Sequence, residues 1–162
     1  MNDYATKVTE LGLDYAPLGM FTSCFVLTSD NKYVFIEKSA KFQSNRKLSF
    51  IGGVLSKDEA VLKNGIQLFD TVRRELGEEI GIKRKDVAKT ILKAGYITEN
   101  FNFCLLFYVN LAIPFSKVKE KFEKNNDGEA ENLLATPEAE LSSFTSSLPS
   151  RDLPKFKILG FA

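Results

Sequence analysis

The sequence predicts a single α/β domain, placed at residues 1–162, and three observations support this prediction. A chain of 162 residues can form one domain with a hydrophobic core but is short for two. Its composition, 44% hydrophobic and 27% charged, is typical of folded proteins rather than disordered ones. Segments with strand patterns alternate with segments of helical period, so we expect a central sheet covered by helices.

The first half of the chain carries a predicted hairpin and a short strand that ends in two glycines. Residues 20–29, MFTSCFVLTS, form an apolar strand, and residues 32–39, KYVFIEKS, form the next one after a turn at Asp30-Asn31. Residues 38–47 are polar and basic and predict a loop. Residues 48–51 then form a short apolar strand that runs into Gly52-Gly53.

A helix is predicted from residue 66. Phe69, Val72, Leu76 and Ile80 recur at spacings of three and four, which forms one apolar stripe over about three turns. Gly81 can end this helix in a left-handed cap.

The second half predicts strands at residues 91–98 and 103–113, followed by an amphipathic helix that begins at Ser116. A turn at residues 125–128 leads to a last strand at residues 132–135. Thr136 and Pro137 then favour a helix start, because proline is preorganised for the first helical position.

The composition restricts the available chemistry. The absence of histidine excludes Ser-His and Cys-His nucleophiles and histidine-bound metals, which leaves carboxylates, lysines, tyrosines or a hard metal held by oxygen. Cys24 and Cys104 lie in apolar strands without a metal-binding pattern and are expected to be reduced, buried and structural. A formal charge of +1 gives no general reason to expect a nucleic-acid polymer or an anionic membrane as partner.

The location is expected to be cytoplasmic. The first fifteen residues carry acids and lack an apolar core, so they do not match a secretory signal. The longest apolar run, residues 103–115, is interrupted and too short to span a bilayer.

The stretch RRELGEEIGI, residues 73–82, places Glu75, Glu78 and Glu79 within an arc about 100° wide on the predicted helix. Carboxylates this close repel one another, and a shared Mg²⁺ or Mn²⁺ would keep them ionised. The alternative is a solvated helix face with surface ion pairs, each worth about 0–1 kcal/mol. Gly77, inside the helix, indicates either a close approach or surface tolerance.

These residues resemble part of a known motif. Gly52-Gly53 and residues 74–82 are similar to the Nudix box, G-x5-E-x7-R-E-U-x-E-E-x-G-U with U aliphatic, and the REUxEExGU portion is matched at every defined position. The resemblance implies a Nudix-type α/β/α sandwich with a central mixed sheet and a catalytic helix.

The resemblance also implies roles for individual residues. Glu75 and Glu79 would be the principal ligands of Mg²⁺ or Mn²⁺, with Glu78 as a further ligand or a supporting residue and the Gly52 carbonyl completing the metal shell. Arg74 would orient a glutamate through an ion pair. Near the last strand, either Glu129 or Glu131 would be the general base or an extra ligand, although an acidic turn is the simpler interpretation of both.

The first half of the motif departs from the pattern. Ile66 stands where the family has glutamate, and Glu59, at the expected distance from Gly53, lies seven residues too far from Arg74. Either an insertion displaces Glu59 or Ile66 replaces the glutamate. We favour the second, because Ile66 then extends the apolar stripe of the helix.

The long connection is similar to the branch that includes UDP-glucose and UDP-galactose pyrophosphatases. This implies a Mg²⁺-dependent hydrolase of a nucleoside diphosphate linked to a group X, with a UDP-hexose as first candidate and a homodimer allowed. From the basic loop and the glycine segment, Arg46, Lys41 and Gly53 are candidate substrate-binding residues, although lysine-rich loops are commonly plain surface. The alternatives are a binding or regulatory module without catalysis, and a hydrolase of ADP-ribose, dinucleoside polyphosphates or nucleoside triphosphates.

Overall fold

The computed structural model describes residues 19–38, 48–55, 68–98, 102–125, 130–145 and 153–160. The strands within these ranges are β1 (Met20–Leu27), β2 (Lys32–Lys38), β3 (Val87–Ile97), β4 (Phe103–Leu111) and β5 (Ala130–Pro137). The helices are α1 (Leu68–Ile80), α2 (Phe115–Asn125), α3 (Leu141–Thr145) and α4 (Leu153–Leu159). Two short 3-10 turns lie at Arg84–Asp86 and Glu138–Glu140.

The strands form one mixed sheet in the order β3-β4-β1-β2-β5. β1 runs parallel to β4, and the pairs β1-β2, β2-β5 and β3-β4 are antiparallel. The predicted hairpin of β1 and β2 is therefore confirmed, and so is the α/β class with a central mixed sheet.

A gap between β1 and β2 determines where the two glycines lie. The two strands pair only at Val26 with Val34 and at Leu27 with Tyr33, and they then separate. Residues 48–55 fill the space: the Ile51 carbonyl accepts from the N–H of β1 Cys24 at 2.7 Å, and other residues of the segment pair with both strands. Since buried backbone groups must be hydrogen-bonded, this insertion lets the strands separate within the fold. It places Gly52-Gly53 inside the sheet rather than on an outer loop.

Each face of the sheet carries its own core, because successive strand residues point to opposite faces. The core between the sheet and the helices α1 and α2 is mainly aliphatic, and the helices contribute Val72, Leu76, Ile80 and Val118 to it. The opposite face, under α3 and α4, is largely aromatic, and its buried residues are Phe25, Tyr33, Phe35, Phe50, Leu141 and Phe156. Helices on both faces confirm the α/β/α sandwich.

Helix α1 departs from its predicted stripe at Phe69, which is 44% exposed and whose ring lies nearly perpendicular to that of Phe107. The buried residues of α1 are Thr71, Val72, Glu75, Leu76, Glu79 and Ile80. At about 100° per residue this buried arc is centred near Glu79, so it extends beyond the apolar stripe on the side of Glu75 and Glu79. Phe69 points in nearly the same direction as the buried residues Leu76 and Ile80, so its exposure follows from its place in the first turn of the helix.

The strand boundaries also differ from the prediction by one to four residues, most at β3 and β5. β3 begins at Val87 rather than residue 91, because it is an edge strand whose exposed positions accept polar residues such as Lys89. β5 continues through Thr136 and Pro137, where Thr136 pairs with Tyr33, so the helical segment predicted to start there begins one residue later, at Glu138, as a 3-10 turn that leads into α3.

Both cysteines are free and buried, as predicted. Within the ranges that the structure covers, no helix has the length and apolar character needed to cross a membrane.

Candidate metal and hydrolysis site

Helix α1 lays two carboxylates against the glycine segment. Glu75 and Glu79 are only 6% and 3% exposed, which is unusual for acidic side chains. The Glu79 Oε2 atom accepts a hydrogen bond from the Gly52 N–H at 2.8 Å. The Glu75 carboxylate packs directly over Gly53, where a Cβ atom would overlap it. The helix and the glycine segment thus form the two walls of one buried acidic site.

The glycines are required by these close approaches. Gly52 has φ +151°, and a Cβ there would collide with the Thr22 carbonyl of β1. Gly53 leaves the space that the Glu75 carboxylate occupies. One glycine therefore lets the segment approach β1, and the next lets it approach α1.

Arg74 fixes the acidic side chains at the rim of the site. One arm of its guanidinium lies 2.7 Å from Glu75 Oε1, and the other donates to Glu78 Oε2 at 2.7 Å. The first arm also donates to the Val54 carbonyl at 3.3 Å, which ties the side chain to the end of the glycine segment. A planar fork held at three acceptors gives the Glu75 carboxylate a defined direction.

Glu78 does not join the buried pair. Its side chain is 52% exposed and turns toward Arg74, because its helix position lies about 100° from Glu79 on the solvent side. Across the described ranges, no three His, Cys, Asp or Glu side chains are grouped closely enough to hold a metal ion. The structure therefore brings together two of the three carboxylates that the helical spacing predicted to converge.

Lys38 also lies at this site, although the sequence identified it only within a basic segment and not as the partner of a carboxylate. Its ammonium lies 3.1 Å from Glu79 Oε1, and its side chain is 18% exposed. Lys38 ends β2, where Val34 and Ile36 already point to the α1 face, so the two-residue period of the strand carried the signal. In the sequence, it stands at the end of the second predicted strand and at the start of the basic loop.

Burial makes the charged forms of both carboxylates unfavourable. It raises the pKa of Glu79 to about 7, although the Lys38 ammonium and the Gly52 N–H lower it. It also raises the pKa of Glu75, which Arg74 lowers and Glu78 raises further. Two buried carboxylates of this kind are suitable oxygen ligands for a hard divalent cation such as Mg²⁺ or Mn²⁺. A bound cation would favour the ionised form of each carboxylate.

Of the remaining predicted site residues, the structure describes only some. Lys41, Arg46 and Glu129 lie outside the described residues, as do Glu59 and Ile66. Glu131 is exposed near the start of β5, directly after Ala130, whose strand partner is Lys38. Its backbone is therefore adjacent to the strand that supplies Lys38, and its role as a base stays a prediction.

The stability of the metal-free protein should depend on the ionisation of Glu79. Its folded pKa of about 7 lies above the ordinary 4.5, so the folded state binds more protons between these values. The contribution of Glu79 to the free energy of unfolding should therefore be largest below pH 4.5 and fall by about 3 kcal/mol as the pH rises through 7. Urea denaturation in chelator across this range should show the slope, and Glu79→Gln should flatten it. Equal slopes in the two proteins would contradict the burial effect.

The fold and the site define a class of protein: a mixed sheet enclosed by helices on both faces, with an acidic helix packed on a Gly-Gly segment inside the sheet. No protein-family model matches the chain, and no curated protein matches it either. Solved structures do match, and they show that the chain has the Nudix fold.

Three such structures illustrate the similarity. A Nudix hydrolase from Nitrosomonas europaea is 15% identical, with a TM-score of 0.59 over 89% of this chain and 87% of that one. A structure described as MutT from Aliivibrio salmonicida and Vibrio cholerae is 16% identical, with a TM-score of 0.55 over 86% and 92%. A mutT/nudix family protein from Listeria innocua is 15% identical, with a TM-score of 0.53 over 77% and 82%.

Proposed function

We propose that this protein is a Mg²⁺- or Mn²⁺-dependent hydrolase that cleaves the diphosphate bond of a nucleoside diphosphate linked to a group X. The observation that carries the proposal is the buried pair of Glu75 and Glu79, packed on Gly52-Gly53. Acidic side chains are seldom buried unless they are paired, and buried carboxylates whose pKa is raised cluster at functional sites. The likeness to solved Nudix hydrolases supports the same chemistry.

The described residues have separate roles in the proposed site. Glu75 and Glu79 would hold the cation, with Glu78 reaching it only if its side chain leaves Arg74, and with the Gly52 carbonyl as a further oxygen. The Gly52 N–H fixes one oxygen of Glu79, and Arg74 fixes one oxygen of Glu75, so both ligands are directed before substrate arrives. A bound divalent cation would neutralise phosphate oxygens and lower the pKa of water.

The reaction forms a P–O bond from water and breaks the bridging P–O bond of the diphosphate. The proton released by the water would pass to a carboxylate base, for which we propose Glu129 or Glu131. The products would be a nucleoside monophosphate and phosphorylated X. Lys41, Arg46 and Gly53 are proposed to contact the anionic substrate, since charged donors suit phosphate oxygens.

We propose a nucleotide sugar such as a UDP-hexose as the first candidate substrate, on the basis of the long connection between Gly53 and the catalytic helix. One domain over residues 1–162 would carry this activity in the cytoplasm, with a small molecule rather than a nucleic-acid polymer or membrane as partner. A homodimer is compatible with the proposal.

A binding module without catalysis is the second candidate, and one observation favours it. Each acidic side chain of the motif already has a cationic partner within the protein: Lys38 for Glu79, and Arg74 for both Glu75 and Glu78. A site neutralised in this way can be stable without a metal.

A hydrolysis panel would test the proposal. Nucleotide sugars, ADP-ribose, dinucleoside polyphosphates and nucleoside triphosphates would each be incubated with and without Mg²⁺, and monophosphate release would be measured by chromatography. We expect turnover of at least one of these classes, strictly dependent on the cation, with UDP-hexoses preferred. Binding of these compounds without turnover of any of them would favour the binding module instead.

A further inference from the structure

We propose that Lys38 is a built-in counter-ion of Glu79, and that the divalent cation must compete with its ammonium for the same carboxylate. This inference rests on the metal site proposed above, and it concerns how the chain controls metal affinity there. The starting observation is that both oxygens of Glu79 are occupied: Oε2 by the Gly52 N–H at 2.8 Å and Oε1 by the Lys38 ammonium at 3.1 Å.

The two partners of Glu79 differ in how freely they can leave. The Gly52 N–H belongs to a segment that is hydrogen-bonded to β1 on both sides of it, through Ile51 and Gly53, and cannot turn away. The Lys38 ammonium sits on a flexible four-carbon stem at the end of β2, next to a register shift between Glu37 and Lys38. Oε1 is therefore the oxygen that a metal can reach, and Lys38 is the group that would have to move.

The charge balance of the site leads to the same conclusion. Glu75, Glu78 and Glu79 carry three negative charges when ionised, and Arg74 and Lys38 pair with them and supply two positive charges, so a divalent cation would change the net charge of this set from −1 to +1. A divalent cation added to this set would place uncompensated positive charge in a region with little water. Arg74 is held by Glu75, Glu78 and the Val54 carbonyl. The excess positive charge is therefore removed most readily by displacement of the Lys38 ammonium.

Competition of this kind predicts that the loss of the Lys38 charge strengthens metal binding. In Lys38→Met, which keeps an unbranched apolar stem, we expect the dissociation constant for Mn²⁺, measured by calorimetry without nucleotide, to fall about tenfold or more. Lys38→Arg, which keeps the charge, should bind Mn²⁺ much as the parent does. If Lys38→Met does not fold by circular dichroism, Lys38→Gln provides the same loss of charge with a polar side chain.

The matched control is Lys89→Met. Lys89 is an exposed lysine of β3, at the edge of the sheet, so this variant changes the net charge equally but away from Glu79. We expect its Mn²⁺ affinity to equal that of the parent. A gain in Lys38→Met that Lys89→Met does not share would identify local competition rather than a change in overall charge.

The outcomes separate this inference from the proposed function. Mn²⁺ binding that is unchanged or weaker in a folded Lys38→Met protein, with a parent that binds, overturns the competition while leaving the metal site in place. If neither the parent nor any variant binds Mn²⁺ at millimolar concentration, the metal site itself is wrong and both proposals fail. Loss of binding in Glu79→Gln, measured beside them, would assign the bound cation to this carboxylate.

Discussion

Replacement of Glu79 by glutamine is expected to lower hydrolysis by at least about 100-fold while the protein stays folded. Glu79 lies at the centre of the buried face of α1, and its carboxylate is directed by the Gly52 N–H. Glutamine has nearly the same shape but lacks the charge that a divalent cation requires. Loss of an outer partner of a metal ligand typically costs 10–100-fold, so loss of a ligand charge should cost more. The measurement is kcat/KM for the best substrate of the panel.

Two further variants make this result specific. Glu123→Gln removes an exposed acid of α2 and should leave the rate at the parent value. Glu78→Gln removes the exposed acid that pairs with Arg74, and its effect should be smaller than that of Glu79→Gln because Glu78 lies outside the buried pair. A Glu79→Gln protein that turns over every substrate as fast as the parent would refute the assignment of the metal to this carboxylate.

The largest effect on stability is expected from Gly52→Ala. Gly52 combines φ +151°, which L side chains rarely adopt, with a position where a Cβ would meet the backbone carbonyl of Thr22. Backbone strain costs about 1–3 kcal/mol and overpacking against backbone adds a similar amount, so we expect a loss of about 3 kcal/mol or more. For a chain of this length that lowers Tm by roughly 6–12 °C. Thermal and urea denaturation would measure it.

Gly77→Ala is the matched control for that experiment. Gly77 lies within α1, and the nearest atom to a Cβ there is the Ile82 carbonyl oxygen at 3.7 Å, which is ordinary contact. Alanine is a better helix former, so the free energy of unfolding should rise by about 0.5–1 kcal/mol. If Gly52→Ala proved as stable as the parent, the packing of the glycine segment against β1 would be wrong.

The same comparison decides a question that the sequence left open. Gly77 within a helix indicated either a close approach or surface tolerance, and the space around it shows tolerance. The glycines that do permit close approach are Gly52 and Gly53, one on each side of the segment. Glycine identity alone does not distinguish these cases, because the reason lies in a neighbour that is distant along the chain.

Much of the fold follows from local periodicity. The two-residue alternation of β1 and β2 and the three-to-four spacing of α1 come from how each element exposes its own side chains, and the structure confirms these elements. The buried face of α1 is different: residue spacing indicated only the apolar stripe, whereas packing on the glycine segment widens the buried face to include Glu75 and Glu79. The period of a helix can be recognised in its sequence, but which of its residues are buried depends on what the helix packs against.

The sequence by itself determined the elements, the α/β class, and the acidic helix with its arginine and its glycine pair, since these are patterns among residues a few positions apart. Only the tertiary structure decided that Glu78 turns away, that residues 48–55 separate β1 from β2, and that Lys38 reaches Glu79 across 41 positions of the sequence. The physical reason is that local patterns record torsional preferences and periodicity. Contacts between distant segments are set by strand order and by the need to pair every buried backbone group and charge.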